Sequence, residues 1–243
     1  MTVPHLLFTV ALTVSPADEL PVVEAQFTKT PVTVDGKLDD AIWKNAKVYS
    51  LVLGKDRVKK GQRLAEAGKM RVAWDDKHLY IGVEWTDSDI VAKGKADHEM
   101  HFRLGDLCEV FLRHEDQERY WELYVTSAQK KSCFWLKRRG GRLQTDADFG
   151  MRVAAHVNGT LNQSDDTDRS WSAELAIPAK DLTAHGAPFG TTSNWRLLVA
   201  RYNYNKGRSW KDPELSMTPQ LTRTKYHRIH EHARLRLLKP KQE

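Results

Sequence analysis

Two antiparallel β-sheets stacked as a sandwich, with one or two very short helices, are the architecture this sequence predicts. Run after run alternates apolar and polar residues with the period of a half-buried strand, as where Leu79, Ile81, Val83 and Trp85 interleave with Tyr80, Gly82, Glu84 and Thr86. No run of ordinary helix length carries apolar residues at helical spacing. The alternating runs are broken at turn and breaker residues, such as Asp35-Gly36, the Asp75 to His78 segment and Pro178. At 243 residues, with a hydrophobic fraction of 40% and a charged fraction of 29%, the chain suits one large all-β domain with its own core. No linker, internal repeat or low-complexity tract divides it.

Residues 1–25 read as a signal peptide or disordered leader, and 26–243 as a single domain. Leu6 to Val14 has the length of a signal-peptide apolar region, although no Lys or Arg precedes it, and Val23-Glu24-Ala25 approximates a cleavage site. The apolar stretch is too short to span a bilayer. An extra strand is the alternative.

Thr33 to Ala46 (TVDGKLDDAIWKNA) joins a strand end, an Asp-Gly reversal and one helical turn. Val32 and Val34 share a strand face, Gly36 tolerates positive φ, and Asp39 or Asp40 is placed to cap the first helical amides. Leu38, Ile42, Trp43 and Ala46 form an apolar stripe that lays this plug against a sheet.

The strands then follow in order. Met70, Val72 and Trp74 share a face and lead through a hairpin into the Leu79 to Trp85 run. Cys108, Val110 and Leu112 alternate with Glu109. Trp121, Leu123 and Val125 alternate with Tyr120, Glu122 and Tyr124. Trp171, Ala173, Leu175 and Ile177 face the core until Pro178 ends their strand, leaving at most one helical turn at Ala179 to Leu182. The last strand is Ala233 to Leu238, with Leu235 and Leu237 inward. Trp74, Trp85, Trp121 and Trp171 are therefore packing residues. Phe102, Tyr120, Tyr124, Trp210 and Tyr226 fall outside those registers.

The two cysteines, Cys108 and Cys133, exclude a disulfide framework, and one bridge between them is left open by their spacing. The net charge of +6 is spread along the chain. Its densest part, Lys137-Arg138-Arg139-Gly140-Gly141-Arg142, has the form of a solvated hairpin tip, and nucleic-acid binding is not expected.

The order of motifs resembles the family 9 carbohydrate-binding modules from roughly Pro31 to Leu238. After the Asp-Gly and Trp43 block come Val72-Ala73-Trp74-Asp75-Asp76, Leu79 to Val83 with Asp87, and Gly105-Asp106 before Glu109 to Leu112. Tyr120 to Leu123, Trp171 to Pro178 with Leu182, and Trp195-Arg196 leading to Ala200-Arg201 complete the series. The resemblance implies a jelly-roll-like sandwich that binds carbohydrate without catalysis. It also implies a secreted or periplasmic setting, polysaccharide degradation and association with glycoside hydrolases, with no cofactor required and structural calcium admitted, as in other family members. Members that bind sugar chain ends hold the sugar between two tryptophans. Those positions fall here at Phe102 or Arg103 and near Tyr226.

Sugars are held by stacking on aromatic rings and by side chains that make two hydrogen bonds at once. The expected carbohydrate contacts are Phe102 and Tyr226 by stacking, Glu109 and Arg201 by hydrogen bonding, with Arg103 and Trp210 beside them. An internal Glu109–Arg201 ion pair is the alternative.

His98 with His101, and His227 with His230 and His232, have metal-like spacing but lie in loops, and no transition-metal site is expected. Asp75-Asp76, Asp87 with Asp89, and Asp165-Asp166 with Asp168 are either calcium ligands or turn formers. For glycoside hydrolysis two carboxylates must flank one bond, and the odd offset of Asp106 and Glu109 sends them to opposite sheet faces. No nucleophile elbow, phosphate loop or zinc-protease motif is present. Two competing functions remain: haem-binding electron transfer on a related DOMON-like sandwich, with Met100 or a nearby His as axial ligand, and a structural or partner-binding module with a decayed sugar site.

Overall fold

The alternating runs pair with one another as antiparallel ladders. The structure, a computed structural model, describes residues 19–205, 209 and 211–239. Its strands are β1 (Val22–Phe27), β2 (Tyr49–Ser50), β3 (Gly68–Trp74), β4 (His78–Thr86), β5 (Leu107–His114), β6 (Tyr120–Thr126), β7 (Lys131–Leu136), β8 (Gln144–Thr145), β9 (Arg152–Asn158), β10 (Ser170–Pro178), β11 (Trp195–Asn203), β12 (Glu214–Thr218) and β13 (Ala233–Leu237). Three helices of four or five residues accompany them: α1 (Ala41–Asn45), α2 (Lys55–Val58) and α3 (Ala179–Thr183).

One layer runs β8-β7-β6-β5-β11, and β12 and β13 divide the far edge of β11 between them. The other runs β3-β4-β10-β9, with β2 on β3. β1 joins the layers: Val22 to Ala25 pair with β13, and Gln26 and Phe27 pair with β3. Both of these pairings are parallel, which the expectation of wholly antiparallel layers did not include. β1 also takes up Val22 to Ala25 of the 1–25 leader segment, with Val23 and Ala25 in the core.

Between the layers lies one large apolar core. Met70, Val72 and Trp74, Leu79 to Trp85 at alternate positions, Cys108, Val110 and Leu112, Trp121, Leu123 and Val125, and Trp171 to Ile177 at alternate positions all point into it. Each strand's inward face is the one its alternation assigns. Cys108 and Cys133 are free, buried thiols in this core, so no bridge links them.

The Asp35-Gly36 block docks against the outer face of the second layer. Val32, Trp43 and Ala46 pack there on Ala73, Tyr80 and Ala176. Gly36 has φ +86°, and a Cβ on it would lie 2.5 Å from the Ala155 carbonyl carbon, so the turn requires glycine. Two local expectations are corrected. The Val32 to Val34 run joins no ladder. Asp40 precedes α1 but does not cap it; its Oδ2 accepts the Thr33 amide at 3.1 Å, because the reversal brings that amide back over the helix start.

Candidate functional site

The outer face of the first layer carries Glu109 and Phe111 on β5, Tyr120, Glu122 and Tyr124 on β6, Phe134 and Leu136 on β7, and Ala200 and Tyr202 on β11. This follows from their alternation with the core residues. Carbohydrate contact by Glu109 and Tyr226 requires this face to be open. Instead the chain between β12 and β13 folds back over the face, where Leu221, Tyr226 and Ile229 pack on Phe111 and Tyr120. Phe102 and Leu143 close the other side around Tyr124 and Phe134. Glu109, Glu122 and Tyr124 are consequently buried.

The buried carboxyls sit close enough to repel. Burial raises Glu109 well above the usual carboxylate range, and the Glu122 charge raises it further. Burial likewise pushes Glu122 up to about 7. The Tyr124 hydroxyl donates to Glu122 Oε2 at 3.1 Å, and the Tyr202 hydroxyl bonds the Glu109 carboxyl. Glu109 Oε2 and Glu122 Oε1 keep no hydrogen-bond partner. Over them, His227 Nδ1 lies 2.8 Å from the Tyr120 hydroxyl and 3.4 Å from Glu122 Oε1, with its side chain half exposed.

Phe102 stands at the rim in a 3-10 turn, His101–Arg103. Its ring lies 6.0 Å from that of Tyr202, and Arg103 places its guanidinium 5.2 Å from the Phe102 centroid. The Gly105-Asp106 motif anchors this turn. A Cβ at Gly105 would meet the Val91 carbonyl oxygen at 2.0 Å, and Asp106 accepts the Val91 and Tyr204 amides at 2.6 and 2.7 Å. The Tyr204 hydroxyl in turn donates to the Phe102 carbonyl.

The structure brings Phe102, Arg103 and Glu109 to this face, but not Arg201. Arg201 is paired with Cys108 across the ladder, one residue out of phase with Glu109, and so points the other way, between the layers. There its Nη2 meets Asp87 Oδ2 at 2.8 Å and Asn203 Oδ1 at 3.0 Å, its Nη1 donates to the Thr86 carbonyl, and Glu66 stands 3.7 Å away. An internal ion pair therefore exists, with Asp87 and Glu66 in place of Glu109. Tyr226 lies on the outer face but is 5% exposed, its ring 5.5 Å from Tyr202 and its hydroxyl donating to the Arg201 and Ser216 carbonyls. It is anchored edge-on in the covering segment and presents no free ring face. Trp210 lies outside the described residues. Tyr202 and His227 belong to this candidate face and were not proposed, although the alternation of β11 puts Tyr202 opposite in phase to Arg201.

Among the described residues no group of three or more His, Cys, Asp or Glu converges as a metal site. Of the aspartates singled out for calcium, Asp75, Asp87 and Asp168 bind protein groups, while Asp89 Oδ1 is buried without a hydrogen-bond partner among the described residues. Asp75 accepts the Lys77 and His78 amides, Asp87 accepts Arg201 and the Trp171 indole, and Asp168 accepts the Ile90 and Thr160 amides. Among the described residues no helix is long and apolar enough to cross a membrane.

The model of the carbohydrate family 9 binding domain-like family matches residues 34–215. A candidate carbohydrate-binding protein of Bacteroides uniformis ATCC 8492 superposes with a TM-score of 0.72 at 11% identity, covering 90% of this chain and 100% of the other. A family 9 carbohydrate-binding module of Caldicellulosiruptor kristjanssonii, solved with cellotriose, superposes with a TM-score of 0.58 at 13% identity over 90% of this chain and 95% of that one. The glucose complex of a family 9 module from the same organism gives 0.52 at 14% identity over 91% and 98%. At these identities the superpositions establish a shared fold. No curated protein matches the chain.

Proposed function

The chain belongs to the carbohydrate family 9 binding domain-like family, and on that basis we propose that it binds carbohydrate on the outer face of its first layer without cleaving it. The observation that carries this is the pairing of a partly buried aromatic rim with a hydrogen-bonding floor. Phe102 and Tyr202 offer ring surface for a pyranose face, while the exposed Arg103 and His227 are placed for its hydroxyl groups. Glu109 and Glu122 lie beneath as acceptors that hold the tyrosine hydroxyls in one orientation. The modules from Caldicellulosiruptor kristjanssonii that share the fold hold cellotriose and glucose, which makes β-linked glucose chains the first ligands to test.

An exported protein working beside glycoside hydrolases is the setting that this reading and the apolar stretch Leu6 to Val14 support. Fractionation of expressing cells tests it: a protein shortened ahead of Val22, so that β1 is kept, is expected outside the cytoplasm, and full-length protein confined to the cytosol would contradict it.

Affinity electrophoresis in gels cast with soluble polysaccharides tests binding itself. Retardation by at least one neutral glucan, lost in Phe102→Ala, is the expected result. Unchanged mobility in every glycan gel would refute the proposal.

A further inference from the structure

A second aromatic and cationic site lies at one end of the sandwich, on the opposite side of the β6–β7 hairpin from the outer-face site. Trp121 and Trp135 pair across that hairpin on its inward side. His185, in the loop after α3, stacks on Trp121 at 5.9 Å and lies 6.3 Å from Trp135. Its carbonyl accepts the Gln117 amide nitrogen at 3.0 Å, which ties the β5–β6 loop to the α3–β11 loop. Between these loops and the start of the basic hairpin tip is an open cleft of about 800 Å³.

Its lining is strongly cationic. Arg119, Lys137 and Arg138 line it with His185, and Glu118 is the one carboxylate in the wall. Among the described residues no carboxylate pairs with any of the three cations. Arg119 is also held in place, with its guanidinium 4.1 Å from the Trp135 centroid. Its Nη1 is buried and has no hydrogen-bond partner. A stacked guanidinium loses little freedom when its fork of donors meets a planar or tetrahedral anion, so the cost of ordering it has largely been met by the fold. Lys137 and Arg138 add positive potential at the mouth, where an anion would otherwise lose its hydration without compensation.

We propose that this cleft is an anion subsite that takes the carboxylate or sulfate group of an acidic polysaccharide, with Arg119 as the oriented donor and Lys137 and Arg138 as supporting cations. The choice of a polysaccharide as carrier rests on the carbohydrate-binding reading; the preference for an anion rests on the cleft alone. Glu118 opposes the ligand charge and tunes its affinity.

The full chain run in affinity gels containing polygalacturonate, dextran sulfate, neutral hydroxyethylcellulose or poly(U) tests this. Polygalacturonate reports a carboxylate and dextran sulfate a sulfate, and retardation by either supports the subsite. Arg119→Gln is expected to weaken that retention at least tenfold, Lys137→Gln with Arg138→Gln severalfold, and Glu118→Gln to strengthen it, all without change on hydroxyethylcellulose. Thermal unfolding of each variant checks the fold, and the exposed Lys137 and Arg138 pair carries the test if Arg119→Gln unfolds. No retention by either acidic polymer, retention unaltered in these variants, or equal retention by poly(U) would overturn the proposal. Loss of hydroxyethylcellulose binding with acidic retention intact would remove the outer-face reading and leave the cleft standing, and the converse result would do the reverse.

Discussion

The Trp43 indole nitrogen donates to Glu174 Oε1 at 2.7 Å, and the other oxygen of that carboxylate accepts the Asp35 and Gly36 amides at 2.9 and 2.8 Å. One buried acid on β10 thus fastens the Asp-Gly turn and the short helix that follows it to the second layer. Glu174→Ala leaves three donors without an acceptor, each costing about 1–3 kcal/mol when buried, so a loss of at least ~2 kcal/mol is expected. Urea unfolding followed by tryptophan fluorescence measures it. A variant as stable as the wild type would show that the block docks by apolar contact alone.

The carboxyl of Glu122 gives the outer face a pH dependence. Burial raises its folded value to about 7 from an ordinary 4.5. A carboxyl raised in this way contributes stability that is complete below its unfolded value and is lost as pH rises through its folded value. Relative to Glu122→Gln, the wild type is therefore expected to lose roughly 2–3 kcal/mol between about pH 5 and 8. Denaturation midpoints across that range test the sign; parallel curves for the two proteins would contradict it.

Arg201 and Asp87 form a 2.8 Å ion pair inside the sandwich, with the Arg201 guanidinium 5.3 Å over the Trp85 ring. Removing one partner strands a buried charge, so Arg201→Met is expected to cost about 3–5 kcal/mol. Replacing both, as Arg201→Met with Asp87→Leu, should recover only the part due to the stranded Asp87 charge, because the Trp171 indole, Glu66 and Asn203 then each lose a partner. The double variant's being no more stable than the single one would assign the loss to packing.

Rim contacts are expected to contribute modestly and separately. Arg103→Ala removes one guanidinium and His227→Ala one imidazole, and each should weaken glycan affinity up to about tenfold, corresponding to a net hydrogen bond of about 0.5–1.5 kcal/mol. Tyr226→Phe, by contrast, should lower stability and leave affinity unchanged, since its hydroxyl is spent on the Arg201 and Ser216 carbonyls. Calorimetric titration separates the two classes.

The core was legible because strand alternation is a local property. Leu79 to Trp85 and Trp171 to Ile177 declare their inward faces without knowledge of any partner, and both point into the one apolar core. The path of β1 was not legible, since six residues bridging two layers carry no pattern that distinguishes them from a leader. Glu109 and Arg201 show the same limit at the site. Their opposite faces follow from phase, but Asp87 as the partner of Arg201 depends on where the end of β4 falls in space. Tyr226 sits in a non-repeating connection, where neither its burial nor its roof-like position has a periodic signal. Family motifs located Phe102 and the Gly105-Asp106 anchor, while Tyr202 could have been found from the alternation of β11 alone.

Amide chemical-shift mapping during a titration with cellotriose tests the outer-face site most directly. Shifts concentrated at Phe102, Arg103, Tyr202 and His227, and abolished in Phe102→Ala, are the expected result. Saturable shifts confined to other surfaces, or none at millimolar sugar for any neutral glucan, would contradict it.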